Sequence, residues 1–359
     1  MDITKMTAIY FAPYNWYKRR SIRKYNIWRV KSFCSKDAKL NKKQIEQARQ
    51  FYSPYCNITP LFHSFYFEKT SIFCEQHLPT DIYINYVDEY FNDRVAAKKM
   101  DNKCLYPILF PGIPQADNIA FRKNNFWFNN NDEMLSQSAL ADILNAEPAV
   151  FVKMATNSAG GKGVHYLDSG KQSLYTQLMD IMSSTKEDIV IQRPLKQHAA
   201  LAAINASSVN TIRVISLLSK NGVKCYSTIL RMGIDGSKVD NASSGGITCG
   251  ITPEGKLKKT AYKPSGEKYD VHPTSGVVFE GYTIPGIKEV WETVNRAHKK
   301  FPHFRLVSWD FAIDTDGHPV MIEANLNLGE LDFHQLNNGP LFGDDTKMIL
   351  DEVFGKNKE

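Results

Sequence analysis

The chain has 359 residues, 43% hydrophobic and 23% charged, with a formal net charge of +6, which is the profile of a globular protein large enough for two or three lobes. Its six cysteines (Cys34, Cys56, Cys74, Cys104, Cys225, Cys249) show no C-x-x-C or Cys/His spacing, so they indicate neither a structural zinc nor a disulfide framework and fit a reducing compartment. No uncharged apolar run reaches the ~18 residues that span a bilayer, and the apolar run 6–13 is short, carries Pro13 and precedes its positive charges, so no signal peptide is expected and the cytoplasm is the expected location.

The charge is uneven. Residues 1–36 hold nine Lys and Arg against Asp2 alone, a local +8 that leaves −2 for residues 37–359; a nucleic-acid partner is therefore not expected for the body. In this arm Tyr14, Tyr17, Ile22, Tyr25 and Trp28 recur at three- to five-residue spacing between Lys18, Arg19, Arg20, Arg23 and Lys24, which fits a basic amphipathic helix. Either the aromatic stripe docks on the body and the charges are solvated, or residues 14–31 adhere to an anionic membrane surface or a polyanionic partner, making the protein membrane-peripheral.

Residues 39–100 read as mainly helical, most clearly 42–51 and 87–100. Prolines in 101–114 lead into alternating aromatic strands over 118–128. AVFVKM (149–154) is a short buried strand, followed by TNSAGGKGV (156–164), a loop with Gly160, Gly161 and Gly163. A helix is expected over 174–182 and a strand over 188–192. Strands 211–218 and 223–232 are joined across Asn221-Gly222, residues that tolerate positive φ. Residues 236–286, rich in Gly, Ser, Pro and Thr, read as a long irregular binding region. Ile287, Val290, Trp291, Val294 and Ala297 then repeat with helical spacing. Finally, 307–313 and 319–324 flank Asp314-Thr315-Asp316-Gly317, a turn signal that makes them a β-hairpin.

Along that hairpin Glu323 and Asn325 share a face, and the return strand brings Asp310 beside them. Two carboxylates and an amide suit Mg²⁺, with Mn²⁺ as the alternative; the same pattern also fits a hairpin with an exposed polar face. Lys153 ahead of a glycine-rich loop suits triphosphate binding, because an ammonium neutralises phosphate and small residues let backbone N–H groups approach. It is not a Walker A loop, since Lys162 is followed by Gly163. An ordinary flexible hairpin fits the loop as well.

The order of these features resembles the ATP-grasp superfamily, and more narrowly its sugar-transfer-associated branch, over residues 100–345. The resemblance is carried by FVKMATNSAGGKGV (151–164), IVIQRPL (189–195), VNTIRVISL (209–217), RMGIDGSKVDNASSGGI (231–247) and WDFAID…MIEANLN (309–327). It implies an α+β fold in which two lobes with antiparallel sheets clamp ATP: a basic, mainly helical region 1–100, an N-terminal lobe 101–195 with the glycine-rich lid, and a C-terminal lobe 196–359 with the metal site. It also implies ligation of a carboxylate to an amine or other nucleophile through an acyl phosphate, in surface polysaccharide or small-molecule biosynthesis. The alternatives are a non-catalytic ATP-binding module partnering a glycosyltransferase and a kinase acting on a hydroxyl.

Residue by residue, the resemblance assigns Lys103 and Lys153 to the phosphates, and Ser158, Gly160, Gly161, Lys162 and Gly163 to the lid. It assigns Gln192, with the backbone of Arg193 and Leu195, to adenine, and Asp310, Glu323 and Asn325 to the metal. Gln192 stands where many relatives carry Glu, and Gln197 or His198 would have to serve the ribose. Ser308 occupies a position where ligase relatives often carry Arg. Arg213 and Arg231 are then the candidates to stabilise a phosphoryl group in flight, unless they are structural ion pairs. Asp240, Asn241, Ser243 and Ser244 would line the acceptor end, or form a plain polar loop.

Overall fold

The computed structural model describes residues 3–35, 40–156, 163–170, 172–236 and 245–356, with side chains of the first helix from Trp16 onward. Its contacts divide it into two units, Met1–Asp93 with Pro264–Glu267 and Glu330–Glu359, and Arg94–Lys263 with Lys268–Gly329.

The first unit is helical. Its N-terminal helix runs over Ile3–Phe33, and the helix Lys42–Tyr52 begins at an Asn41/Gln44 capping box, which satisfies two otherwise orphaned N–H groups. The expected helix over 87–100 is broken: a π-helical turn, Tyr83–Asp88, runs into Glu89–Phe91, and the chain restarts at Arg94–Met100. The helix Leu331–Asn338 belongs to this unit, whereas the boundary expected at 195/196 would keep it with the last lobe. The reason is polar. Asp332 accepts hydrogen bonds from Tyr66 (2.9 Å), Thr80 (2.6 Å) and Arg29, and Gln335 bonds both the N–H and the C=O of Leu78 (2.9 Å each).

The second unit holds two antiparallel sheets. The first is ordered β3-β2-β1-β6-β4-β5, from β1 (Asn118–Lys123), β2 (Phe126–Phe128), β3 (Met134–Leu135), β4 (Ala149–Met154), β5 (Val164–Asp168) and β6 (Ile189–Gln192). The β1–β2 hairpin turns on Asn124 and Asn125, both at positive φ, as a two-residue hairpin turn demands. Helices Gln137–Asn145 and Leu174–Ser183 bury Leu140, Leu144, Leu174 and Leu178 against Val150, Val152 and Ile191.

The second sheet is ordered β11-β10-β9-β8-β7-β12-β13, from β7 (Thr211–Ser219), β8 (Gly222–Met232), β9 (Ile247–Ile251), β10 (Leu257–Tyr262), β11 (Lys268–Tyr269), β12 (Leu306–Ile313) and β13 (Pro319–Asn325). Strands β9 to β11 lie in the stretch 236–286 that composition marked as irregular. The fully buried run Ile247–Ile251 does not alternate, which hid it. Helix Ile287–Lys300 packs Val290, Val294 and Ala297 into this sheet's core and bonds Trp291 to Thr228 (2.9 Å); each buried Val contributes roughly 1.5–3 kcal/mol. Gly286 starts that helix at φ 67°, where a Cβ would meet the Gly317 carbonyl oxygen at 2.3 Å, so the helix start and the β12–β13 turn fit only with glycine there.

Candidate functional site

The β12–β13 hairpin forms as expected. Asp314 Oδ1 accepts from the N–H groups of Asp316 and His318, and Gly317 takes φ 91°. In its register Asp310 opposes Glu323 and Ser308 opposes Asn325, so the three predicted ligands share one face. On the other side of β12, Asp310 opposes Arg213, while Arg231 opposes Thr211, two residues away on β7. The residue preceding Asp310, Trp309, turns to the opposite face, where its indole bonds Ser216 (2.8 Å).

Register thus assembles a buried charged node. Arg213 donates to both oxygens of Asp310 (2.7 and 2.5 Å) and Arg231 to its Oδ2 (3.1 Å); all three residues are 5% exposed or less. Burial opposes ionisation of Asp310, but the charges of Arg213 and Arg231 outweigh it and hold the carboxyl below its usual value. Both arginines are therefore ion-paired, and paired to a predicted metal ligand, which joins the two roles that the sequence left as alternatives.

Lys103 bonds Glu323 Oε1 at 2.7 Å. Its own N–H bonds Ala155 O at 2.9 Å, so the 3-10 turn Lys103–Leu105 ties the end of β4 to the hairpin of the other sheet. Asp101, which carried no role in the sequence, sits beside this pair; burial first, then Glu323, pushes its carboxyl up to about 6, with Lys103 opposing. Its place next to the Asn102-Lys103 segment was the only signal for it.

On the six-stranded sheet Phe151 opposes Gln192. Lys153 lies two residues along from Phe151, so Phe151, Lys153 and Gln192 share a face. The Lys153 ammonium is 5.9 Å from the Phe151 ring centre. Gln192 donates to Asn118 Oδ1 (2.8 Å), while its Oε1 is buried without a partner among the described residues. Arg193 directs its side chain outward to Glu147 and Asp117, and its N–H bonds Asp117 O; Leu195 is half-buried beside it. Gly163 takes φ 71°, its carbonyl accepting from Met154 N, and a Cβ there would lie 2.6 Å from Met154 Sδ. Ser158, Gly160, Gly161 and Lys162 lie outside the described residues, as do Asp240, Asn241, Ser243 and Ser244. Gln197 and His198 are occupied structurally: Gln197 bonds Asn205 O, Ser208 O and Asn210, and His198 caps the helix Ala199–Ile204.

The donor chemistry fits a hard divalent cation. A carboxylate oxygen has about two lone pairs; among the described residues Asp310 Oδ1 takes a single hydrogen bond, and Glu323 Oε2 and Asn325 Oδ1 take none. No group of three or more His, Cys, Asp or Glu suited to a metal occurs among the described residues, so Asn325 is needed to complete the set. The unpartnered Gln192 oxygen likewise fits an adenine amino group.

Two antiparallel sheets, a strand lysine and a hairpin of oxygen donors are the arrangement of an ATP-grasp protein. The chain matches the model of the sugar-transfer associated ATP-grasp family over residues 83–349, more than half its length, and belongs to that family. A comparison with curated proteins finds no match. Among solved structures it is similar to N5-carboxyaminoimidazole synthase from Aspergillus clavatus with ADP and 5-aminoimidazole ribonucleotide (12% identity, 69% of this chain, 55% of that chain, TM-score 0.39). It is also similar to the D-alanine-D-alanine ligase of Coxiella burnetii (9%, 71%, 59%, 0.40) and to biotin carboxylase from Campylobacter jejuni (12%, 74%, 48%, 0.44). The match spans about half of each of these chains, and identities of this size carry no substrate from one protein to another.

Proposed function

We propose that the protein is an ATP-dependent ligase that activates a carboxylic acid as its acyl phosphate and passes the acyl group to an amine or another nucleophile. The observation that carries this reading is the buried node of Asp310, Arg213 and Arg231 beside Glu323 and Lys103. Asp310, Glu323 and Asn325 would hold Mg²⁺, or Mn²⁺ in its place, which when bound neutralises triphosphate charge. Lys103 and Lys153 supply further positive charge toward the phosphates, and Gln192 Oε1 accepts from the adenine amino group. The acid's oxygen adds to the γ-phosphorus as the bond to the β,γ-bridging oxygen breaks, and ADP leaves with that electron pair. The nucleophile then adds to the acyl carbon, phosphate leaves, and the amine proton passes to water. Arg213 and Arg231, held rigid by Asp310, present fixed positive charge where negative charge is in transit.

Membership of a family described as sugar-transfer associated supports a setting in surface-polysaccharide or small-molecule biosynthesis, with an amino sugar among the acceptors and a glycosyltransferase as partner. No helix of the described residues is long and apolar enough to cross a membrane, and all six cysteines are free thiols; with ATP as substrate, the proposed compartment is the cytoplasm.

Hydroxylamine tests the reaction. Incubated with ATP, Mg²⁺ and a panel of carboxylic acids, the protein should form a hydroxamate in step with ADP, and Asp310→Asn or Glu323→Gln should lower both by roughly 10²-fold or more. A stable phosphorylated product without hydroxamate would make it a kinase. ATP binding without ADP release across the panel would make it a non-catalytic module.

A further inference from the structure

The N-terminal helix of the helical unit does not bury its aromatic stripe. It seats on its own unit through Asn26 and Val30, with Ile22, Ile27 and Phe33 half-buried. Tyr17, Tyr25 and Trp28 of that stripe instead stand 66, 59 and 66% exposed, and the adjoining Trp16 60%, so these rings do not dock on the body. Tyr17, Lys24, Trp28 and Lys31 fall at i, i+7, i+11 and i+14, one solvent-facing line of the helix. Alternating Trp or Tyr with Lys is the chemistry of a lipid–water interface, where the ring sits at headgroup depth and the ammonium meets phosphate.

A second observation lies along the same helix. Between it and the segment 81–86 runs a cavity of about 870 Å³ walled by Arg19, Arg20, Arg23 and Lys24. The guanidinium groups are held in place: Arg19 lies over Tyr86 (4.8 Å), Arg20 over Trp16 (5.1 Å), and Arg23 bonds Thr59 (3.2 Å) and Asp81 (3.3 Å). Opposing acids are Asp81, which lines the cavity, and Glu89, 3.5 Å from Arg19, so cations exceed acids by two. Asp81 and Asn85 also line it, 2% and 4% exposed, and each keeps a buried side-chain Oδ1 with no well-formed hydrogen bond. Cations on one wall and unpartnered acceptors on the other match a phosphate that carries hydroxyl groups.

We propose that this helix lies on an anionic phospholipid surface, its Tyr17–Trp28 line at the interface and a headgroup phosphate in the cavity against Arg19, Arg20, Arg23 and Lys24. Arg20 and Lys24 border both features. This is adhesion and not insertion, since no described helix can span, and it stands independently of the reaction proposed above.

The test is sedimentation of the full chain with vesicles of phosphatidylcholine alone or mixed with phosphatidylglycerol. Binding should require the anionic lipid and weaken as salt rises. Tryptophan emission should shift to the blue on binding. Arg20→Gln with Lys24→Gln should weaken binding about 30-fold, roughly fivefold for each cation near the surface. Tyr17→Ser with Trp28→Ser, both at solvent-facing sites, should weaken it while the circular dichroism spectrum stays that of the parent. The proposal is overturned by absence of binding to anionic vesicles at low salt, by full binding in both folded double variants, or by concentration-dependent self-association through this helix in place of vesicle binding. Binding of inorganic phosphate without any affinity for vesicles would also overturn it, reassigning the cavity to a free phosphorylated ligand.

Discussion

Replacing Arg213 by Met keeps much of the side-chain volume but strands a buried charge. Asp310 loses two of its three guanidinium bonds, those at 2.7 and 2.5 Å, and keeps the 3.1 Å bond from Arg231. Breaking a buried ion pair by removing one partner costs about 3–5 kcal/mol, and the surviving Arg231 bond points to the lower end, about 3 kcal/mol. The pH dependence fixes the cause. In the parent the folded-state pKa of Asp310 is depressed, so its stabilisation is present above the unfolded value of about 3.9 and is lost as pH falls through the folded one. In the variant burial is opposed only by Arg231 and Asn325, so the folded carboxyl takes up a proton more readily than in the parent, and the penalty should shrink on acidification. Urea unfolding followed by circular dichroism at about pH 7 and about pH 5 measures both quantities. Asp310→Asn added to Arg213→Met should recover part of the loss, because the stranded charge is gone. A penalty below about 1 kcal/mol at neutral pH, or one independent of pH, would refute the node as described.

Glu323→Gln should leave the fold intact and lower turnover by roughly 10²-fold or more, the scale of one lost transition-state stabiliser; parent-like turnover at saturating Mg²⁺ would remove Glu323 from the site. Gln192→Met deletes the unpartnered acceptor together with the 2.8 Å bond to Asn118, so stability should fall by about 1 kcal/mol while calorimetry shows ATP binding about tenfold weaker; unchanged affinity would free adenine from this residue. Asp81, pushed up to about 6 mainly by burial, binds its proton more tightly folded than unfolded, so its contribution to stability should fall as pH rises from about 4 to about 6, by at most about 3 kcal/mol. Asp81→Asn should flatten that part of the stability–pH curve, and an unchanged slope would count against the shift.

The sequence by itself determined the pieces that local chemistry encodes. The hairpin carrying Asp310, Glu323 and Asn325 was legible because Asp314 and Gly317 supply its turn and strand periodicity fixes which side chains share a face. The β7–β8 hairpin was legible for the same reason, with only Gly222 taking positive φ. Gln192 was expected at a strand end, and it is the last residue of β6. Tertiary structure alone decided the pairings. Arg213 and Asp310 are 97 positions apart and Lys103 and Glu323 are 220 apart, and the first pair meets through the register of β7 on β12, which no local pattern contains. The helix Leu331–Asn338 joins the N-terminal unit because Asp332 and Gln335 find partners there, not because of anything in their own segment. The aromatic residues of the first helix read as a core stripe or a surface stripe, since periodicity gives a face but not what covers it. Which face of that helix is buried was decided only when Asn26 and Val30, a polar and a small apolar residue, took the inner side and left Tyr17 and Trp28 to solvent.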